Sequence, residues 1–480
     1  MLRKLASQTM IYGTSMILCK FLNYMLTPYF TRIMTESVYG QVSDYYSAIP
    51  FANVVLTMGL ATAYFRFITK CETETERRQL FATAWGAVSI LAAVFFAVVV
   101  LLRGPIASAM HYDTIWHLIV MAGLIMVDNV IAMPMASLRH QGRALRYTAV
   151  NIAGVVVNVV CCISLYTLIP AAAESPGWAL VANLISSCAM LAMLLPGAFR
   201  TAGRFIAEKL FSPKLLRTLL AYSLPLMIAG VMGTASDFID RQMIKFLIPG
   251  EEGLSQMGIY SAVAKIAALM VIFRQIYTLG AEPFFLQKFS KEEFRSMNAE
   301  ALKYYTIVGL GILLGIIFFK EPLGHIIGGS FREGIAVLPL LLLGNLFWGI
   351  LINLSFWYKI ADVTRYAIYV NLIGFAVTVG LNMVLIPRCG YFGAAWTQAA
   401  ASFSMVVASY VFNQIHYRVP YDVKRIGLYF LAAGALYCLS LPVDTLAAGL
   451  QYPLKILLLL GFGAMALRIE RINISALWKK

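Results

Sequence analysis

Four charged side chains stand deep inside stretches that are otherwise almost wholly apolar. Lys20 lies near the middle of 10–31, Asp128 near the middle of 114–138, and Lys265 and Arg274 within 257–282. At the centre of a membrane helix such a charge costs about 2.5–3.5 kcal/mol on insertion scales, so each needs a partner or a task. A cation in a low-dielectric cavity attracts an oxyanion more strongly than it would in water. Arginine can grip phosphate through two parallel hydrogen bonds, and lysine acts on it as a point charge. A deep carboxylate is a candidate acceptor for a coupling proton, since leaving water disfavours charge.

Each of these residues has a plainer alternative. Lys20 is too deep to reach the interface easily and begins a polar stripe with Asn23, Tyr24 and Thr27; a structural ion pair is its rival reading. Lys265 lies about two turns inside the outer end of its stretch, where snorkelling is the rival. Arg274 is nine residues further, about 180° round an ideal helix, so the two share a cavity only if the helix bends; Glu282 is an alternative partner for Arg274. Asp128, beside Asn129, could pair with Lys20 or hold helices together. Asp237, Asp240 and Arg241 cluster near the outer end of 217–240 and are gating candidates, against ordinary solvation of a helix end.

The elements that must position these residues follow from hydropathy. The chain has 480 residues, of which 60% are hydrophobic and only 13% charged. That is far from a soluble domain, where about a quarter of residues are charged. A spanning helix needs roughly 20 mostly apolar residues. Candidate spans lie near 10–31, 42–66, 81–102, 114–138, 147–169, 177–198, 217–240, 257–282, 304–319, 335–358, 366–386, 391–412, 426–442 and 450–468. The expected fold is all-α and integral to a membrane, with fourteen transmembrane helices.

Net charge is +15, which by itself could suggest nucleic acid. Its distribution points elsewhere. With the N-terminus in the cytoplasm, the termini and inward loops carry 27 lysines and arginines and the outward loops carry 7. That asymmetry is the positive-inside rule and predicts N-in/C-in topology; no nucleic-acid partner is expected. The outward loops are short and leave no room for an external catalytic domain. Seven cysteines show no metal spacing, and His111, His117, His140, His325 and His416 are scattered. Neither a P-loop, a D-x-D motif nor H-E-x-x-H occurs.

An internal repeat organises the spans. RYTAVNIAG from Arg146 and RYAIYVNLIG from Arg365 align Asn151 with Asn371 and Gly154 with Gly374. Tyr29-Phe-Thr-Arg32 leading to Tyr39-Gly40 matches Asp240-Arg241 leading to Gly258-Ile-Tyr260, at offsets of 209 and 218, so a loop insertion with Glu251 and Glu252 is expected in the second copy. Two six-helix lobes in parallel orientation follow, at 1–198 and 217–412. A basic linker at 199–216, with Phe205, Ile206 and Leu210 able to face one way, is expected to lie on the cytoplasmic surface as an amphipathic helix. Two further helices and a tail occupy 413–480. Pro28, Pro50, Pro225 and Pro283 are expected to bend their helices. Gly311-x-x-x-Gly315 is a small-residue packing face, and Trp178 and Trp357 read as interface anchors.

The runs TPYFTRIMTESVYGQVSDYYSA (27–48) and DFIDRQMIKFLI…GIYSAVAKIA (237–268), with this 6+6+2 order, resemble the Wzx-type oligosaccharide flippases of the MATE-like multidrug/oligosaccharidyl-lipid/polysaccharide exporter superfamily. The resemblance covers essentially the whole chain. It implies a multi-pass protein of the bacterial inner membrane that moves undecaprenyl-pyrophosphate-linked oligosaccharides outward, between two lobes about a central cavity. Lys20, Lys265 and Arg274 are then the candidate pyrophosphate ligands. No cofactor is expected; the coupling ion, proton or sodium, is left open. Membrane lipids, a polysaccharide polymerase and a chain-length regulator are the expected partners. Lys20 stands where proton-driven drug exporters of the superfamily place an aspartate, which argues against cationic-drug export. The competing readings are a lipid II flippase, a multidrug exporter and, from another class, a membrane-embedded polymerase or glycosyltransferase.

Overall fold

A computed structural model describes residues 13, 17–169, 171–202, 211–285, 291–361, 363 and 365–471. In a bilayer no water answers an exposed backbone N–H or C=O, so an apolar chain must satisfy its backbone within each segment, and the helix does that. The described residues form two compact units, Met1–Gly258 and Ile259–Lys480. The first contains α1 (17–24), α2 (Leu26–Ile33), α3 (Glu36–Thr57), α4 (Leu60–Ile68), α5 (Glu74–Leu101), α6 (Arg103–Ala109), α7 (Ile115–His140), α8 (Ala144–Leu168), α9 (Gly177–Ala202), α10 (Pro213–Leu247) and the start of α11 (Glu251–Phe285). The second holds the rest of α11, then α12 (Lys291–Phe318), α13 (Lys320–Gly324), α14 (Leu338–Ile360), α15 (Arg365–Cys389), α16 (Tyr391–His416), α17 (Val423–Val443) and α18 (Ala448–Ile469).

Among the described residues 11 helices are long and apolar enough to cross a membrane, or 12 when α3 and α4 count as one bent span. The first expected span runs into residues outside the description. Helix α16 has the length, at 26 residues, but its apolar side chains are diluted by Ser, Thr, Gln and Asn. Packing divides the chain between Gly258 and Ile259, within α11, because α10 packs on α3, α4 and α5. The linker residues Phe205, Ile206 and Leu210 lie outside the described residues.

Local chemistry sets several helix ends. Thr73 and Glu76 form a capping box at the start of α5, satisfying two backbone donors reciprocally. Ser212 caps α10, with Pro213 in its first turn. The second expected span bends by 42°. The break is not at Pro50, which α3 accommodates, but at Met58 and Gly59, both left-handed with φ of 48° and 66°. A Cβ on Gly59 would also lie 2.9 Å from the Ser223 carbonyl oxygen of α10, so only glycine fits the turn.

Two features of packing follow the sequence offsets. A Cβ on Gly40 would lie 1.9 Å from the carbonyl oxygen of Leu254, and one on Gly258 would lie 2.0 Å from that of Glu36. A shift of 218 carries Glu36 to Leu254 and Gly40 to Gly258, so the contact is its own mirror under the offset. Second, Val150, Gly154, Asn158, Cys162 and Tyr166 form the buried stripe of α8 after its first residue. Val370, Gly374, Thr378, Asn382 and Ile386 of α15 are buried at positions 220 later. Gly154 receives Met190 of α9, and Gly374 receives Met405 of α16.

In the second unit, ion pairs fasten α17 and α18 to α12 at two levels, its middle and just past its C-terminal end. At the middle, Glu470 accepts from Lys303 at 2.5 Å and from the Tyr429 hydroxyl at 2.9 Å, with Arg425 at 3.5 Å. Past the end, Asp444 meets Lys455 at 2.6 Å and Lys320 at 3.3 Å. Burial alone would raise the Asp444 carboxyl, but Lys455 and Lys320 outweigh it and hold it below its usual value. A carboxylate held low adds stability above its ordinary pKa and loses it as pH falls through the folded value. Between these two levels Gly311 and Gly315 face Phe462 and Leu459 of α18, the small-residue packing face expected from their spacing.

The glycine crossing gives a direct test. Gly40→Ala and Gly258→Ala are each expected to cost about 1–3 kcal/mol or more, the range for overpacking, read by thermal unfolding of the detergent-purified protein. Gly434→Ala, where the added carbon meets open space, is the reference. Equal unfolding temperatures for all three would remove the close crossing from the fold.

Candidate functional site

Lys20 is half-buried on α1. One turn later Asn23 Oδ1 accepts from Asn158 Nδ2 of α8 at 3.3 Å, and Thr27 is buried. The polar stripe after Lys20 thus reaches α8 through Asn23 and α3 through Thr27, which hydrogen-bonds Tyr39. Lys20 itself has a polar or charged neighbour.

Asp128 is half-buried in α7, and its Oδ1 accepts from the Ser187 hydroxyl of α9 at 2.6 Å. Next to it, Asn129 Nδ2 donates to Asn53 Oδ1 of α3 at 2.8 Å and to the Ile125 carbonyl at 2.8 Å. The Asp128-Asn129 pair therefore ties α7 to both α9 and α3. A carboxylate that already accepts from a hydroxyl has lost part of its desolvation penalty.

Near the end of α10, Asp240 is buried and Arg241 half-buried, both with polar or charged neighbours, while the Asp237 side chain lies outside the described residues. The dominant charge pair is one turn further on. Lys245 Nζ donates to Asp44 Oδ2 at 2.5 Å and to the Met110 carbonyl at 2.6 Å, and lies 4.2 Å from the centre of the Tyr112 ring. Gln242 Nε2 donates to the other Asp44 oxygen. The side chains of Lys245 and Asp44 are only 4% and 1% exposed. Lys245 lies past the expected span 217–240 and so reads from the sequence as an outward-loop residue, but α10 runs to Leu247 and buries it.

In the second unit Lys265 is exposed on α11 among buried neighbours. Arg274 is half-buried, its guanidinium 5.8 Å from the centre of the Trp348 ring of α14, within cation–π range. The two cations have different surroundings, as their nine-residue spacing requires. Glu282 accepts from Lys359 of α14 at 2.6 Å, which corrects its expected role as partner of Arg274. Beside them runs a buried polar network: Tyr421 donates to Asn298 at 3.0 Å, Asn298 donates to the Asn353 carbonyl at 3.4 Å, and the Asn353 amide reaches the Tyr277 hydroxyl. Trp357 is 1% exposed and packs among Tyr366, His416 and Tyr417, so it is a core residue and not an interface anchor.

Lys20 thus belongs to the first unit, and Lys265 and Arg274 to the second. A further cation inside an expected span is Lys455 at 450–468, and it is paired with Asp444. Counting cations alone leaves such pairs unseen; matching each deep cation against deep carboxylates, Asp44 and Asp444 among them, is the signal that would have found them.

Known proteins bear on this arrangement. Residues 5–281 match the family described as polysaccharide biosynthesis protein. The fold is similar to that of the lipid II flippase MurJ in its inward closed conformation, at 14% identity and a TM-score of 0.76, covering 97% of this chain and 100% of that one. It is also similar to a multidrug resistance MATE family transporter of the MOP superfamily. The inward-facing form gives 13% identity and a TM-score of 0.64 over 83% of this chain and 94% of that one. The outward-facing form gives 13% and 0.59 over 85% and 95%. No curated protein sequence matches the chain.

The Asp44–Lys245 pair can be weighed by mutation. Lys245→Met strands a buried carboxylate and is expected to cost about 3–5 kcal/mol, whereas Asp44→Leu with Lys245→Met regains most of it. Detergent-phase unfolding of the single and double variants reads the difference; a double variant no better than the single would show that the pair is not the cause.

Proposed function

The chain belongs to the polysaccharide biosynthesis protein family, and on that premise we propose that it flips undecaprenyl-pyrophosphate-linked oligosaccharide repeat units from the inner to the outer leaflet of the bacterial inner membrane. It is a flippase-like membrane transporter, not an enzyme. The cargo is an O-antigen, capsule or exopolysaccharide unit. In this proposal fourteen spans are arranged as 1–198, 217–412 and 413–480, with both termini in the cytoplasm, and transport proceeds by alternating access.

The observation that carries the reading is the likeness to a lipid-carrier flippase over 97% of the chain. The MATE forms cover 83% and 85%, leaving a length comparable to 413–480 unmatched. Helices α17 and α18 are built firmly onto α12, which supports a fourteen-span flippase over a shorter exporter. The reciprocal Gly40–Gly258 crossing and the matched stripes of α8 and α15 support the internal repeat.

In the proposed cycle Lys20, Lys265 and Arg274 neutralise the pyrophosphate while the isoprenoid chain stays in lipid. Arg274 backs onto an aromatic ring and supplies the guanidinium fork suited to phosphate oxygens. Lys265, on a face its own unit leaves uncovered, supplies a mobile point charge. Asp128 is the proposed proton or sodium coupling group, and Asp237, Asp240 and Arg241 the proposed gate. Membrane lipids, a polymerase and a chain-length regulator are the proposed partners. A second reading, lipid II as cargo, is favoured by the same full-length likeness, since the neighbour is named for that substrate.

Complementation separates them. Expression in a strain lacking its oligosaccharide flippase is expected to restore surface polysaccharide, and Lys20→Ala, Lys265→Ala and Arg274→Ala to reduce it at least about tenfold, the worth of one lost charge-assisted hydrogen bond. Full complementation by both lysine variants at matched expression would sink the site assignment. Rescue confined to a strain depleted of its lipid II flippase would transfer the cargo to lipid II.

A further inference from the structure

A cavity of about 800 Å³ opens at the end of the first unit that carries the basic loops. Its rim holds four guanidinium groups, those of Arg77, Arg78, Arg143 and Arg146. The rest of the lining mixes the buried apolar side chains of Ile68, Phe81, Leu138 and Leu194 with polar groups such as Ser137 and Gln141. We propose that this cavity is a binding site for a phosphate-bearing headgroup, separate from the deep cations assigned to transport.

Three observations converge on it. The positive-inside rule asks only that cations lie in loops; it does not ask that arginines from two loops far apart in sequence line one cavity. The arginines also sit where two long helices begin. Arg77 and Arg78 are in the first turns of α5, whose N-terminus is fixed by the Thr73–Glu76 capping box. Arg143 precedes α8 and Arg146 is in its first turn. Helix N-termini carry positive partial charge and disfavour cations, but favour a bound anion. Glu74 and Glu76 already answer the start of α5, but α8 has no acidic residue in its first turn and no side-chain cap, so an oxyanion in the cavity is favoured by the start of α8 and by the arginines of both helices.

The rim is also only partly neutralised. Glu74 lies 4.0 Å from Arg77 and 3.7 Å from Arg78, and all three side chains are more than 40% exposed, so solvent screens these pairs. Arg146 Nη2 donates to the Met193 carbonyl at 3.3 Å, which pins it at the rim without cancelling its charge. Four guanidinium groups thus face one carboxylate. The volume lies in the range of organic-ligand pockets, and a lining of mixed apolar and polar groups under a cationic rim suits an amphiphilic phosphate ester. On the proposed orientation the mouth faces the cytoplasm. The same phosphate chemistry has two sources there, an anionic phospholipid and a soluble diphosphate.

The test uses the full-length protein in phosphatidylcholine nanodiscs. Binding of inorganic pyrophosphate is measured by calorimetry, and retention of phosphatidylglycerol against phosphatidylcholine by native mass spectrometry. At least one anionic probe is expected to bind. The Arg78→Gln/Arg143→Gln variant is expected to weaken it about tenfold or more, the worth of one lost charge-assisted hydrogen bond. Lys424→Gln, at an exposed lysine of the second unit, is expected to leave it unchanged. Preference for phosphatidylglycerol assigns the site to lipid, and preference for pyrophosphate assigns it to a soluble diphosphate. Should the glutamine pair fail to fold, Arg78→Lys/Arg143→Lys keeps the charge but removes the forked hydrogen bonds and is read in the same way. Binding of neither probe, or equal binding by the wild type and the folded variant, overturns the proposal.

Discussion

A charge or a loose amide inside hydrocarbon has no water to answer it, and the described structure is organised by that lack. Asp44 is tolerable because Lys245 and Gln242 reach it from α10. Glu470, just past the end of α18, is buried by protein, and three side chains from α12 and α17 converge on it. Tyr421 donates to the Asn298 amide oxygen, and the Asn353 amide nitrogen donates to Tyr277. Each is a contact between helices far apart in sequence, so satisfying polar groups and fixing tertiary structure are one process. In lipid, where helices gain no hydrophobic advantage from touching each other, such contacts and close packing are what remains to hold a bundle together.

Much of the architecture was legible because hydropathy reports directly on the medium. The apolar stretches fall on helices wherever residues are described, and the small-residue face of Gly311 and Gly315 meets α18. Pairings were not legible, because they depend on depth and rotation about each helix. Lys245 read as a loop residue because the apolar run stops near residue 240, yet α10 continues to Leu247 with the buried pair to sustain it. Glu282 looked available to Arg274 along one helix, but Lys359 approaches from another. The bend of the second span was sought at Pro50, the usual suspect. It lies at Met58 and Gly59, where the chain turns left-handed against α10.

The offsets of 218 and 220 began as coincidences of letters and acquired physical content. Gly40 and Gly258 are conspicuous because each is met by a backbone carbonyl, and each partner is the other's counterpart under the shift. Self-complementary contacts of this kind arise when two copies of a surface face each other. The α8 and α15 stripes agree in which positions are buried while differing in identity, Asn158 against Thr378 and Cys162 against Asn382.

The ion pairs on Lys303, in the middle of α12, and on Lys320, just past its end, tie that half of the helix to α17 and α18 at two levels. A helix held at one level can swing about it, whereas one held at two keeps its angle to its neighbours. A lone helix meets a thicker or thinner membrane by tilting. Tied in this way, the three helices tilt together.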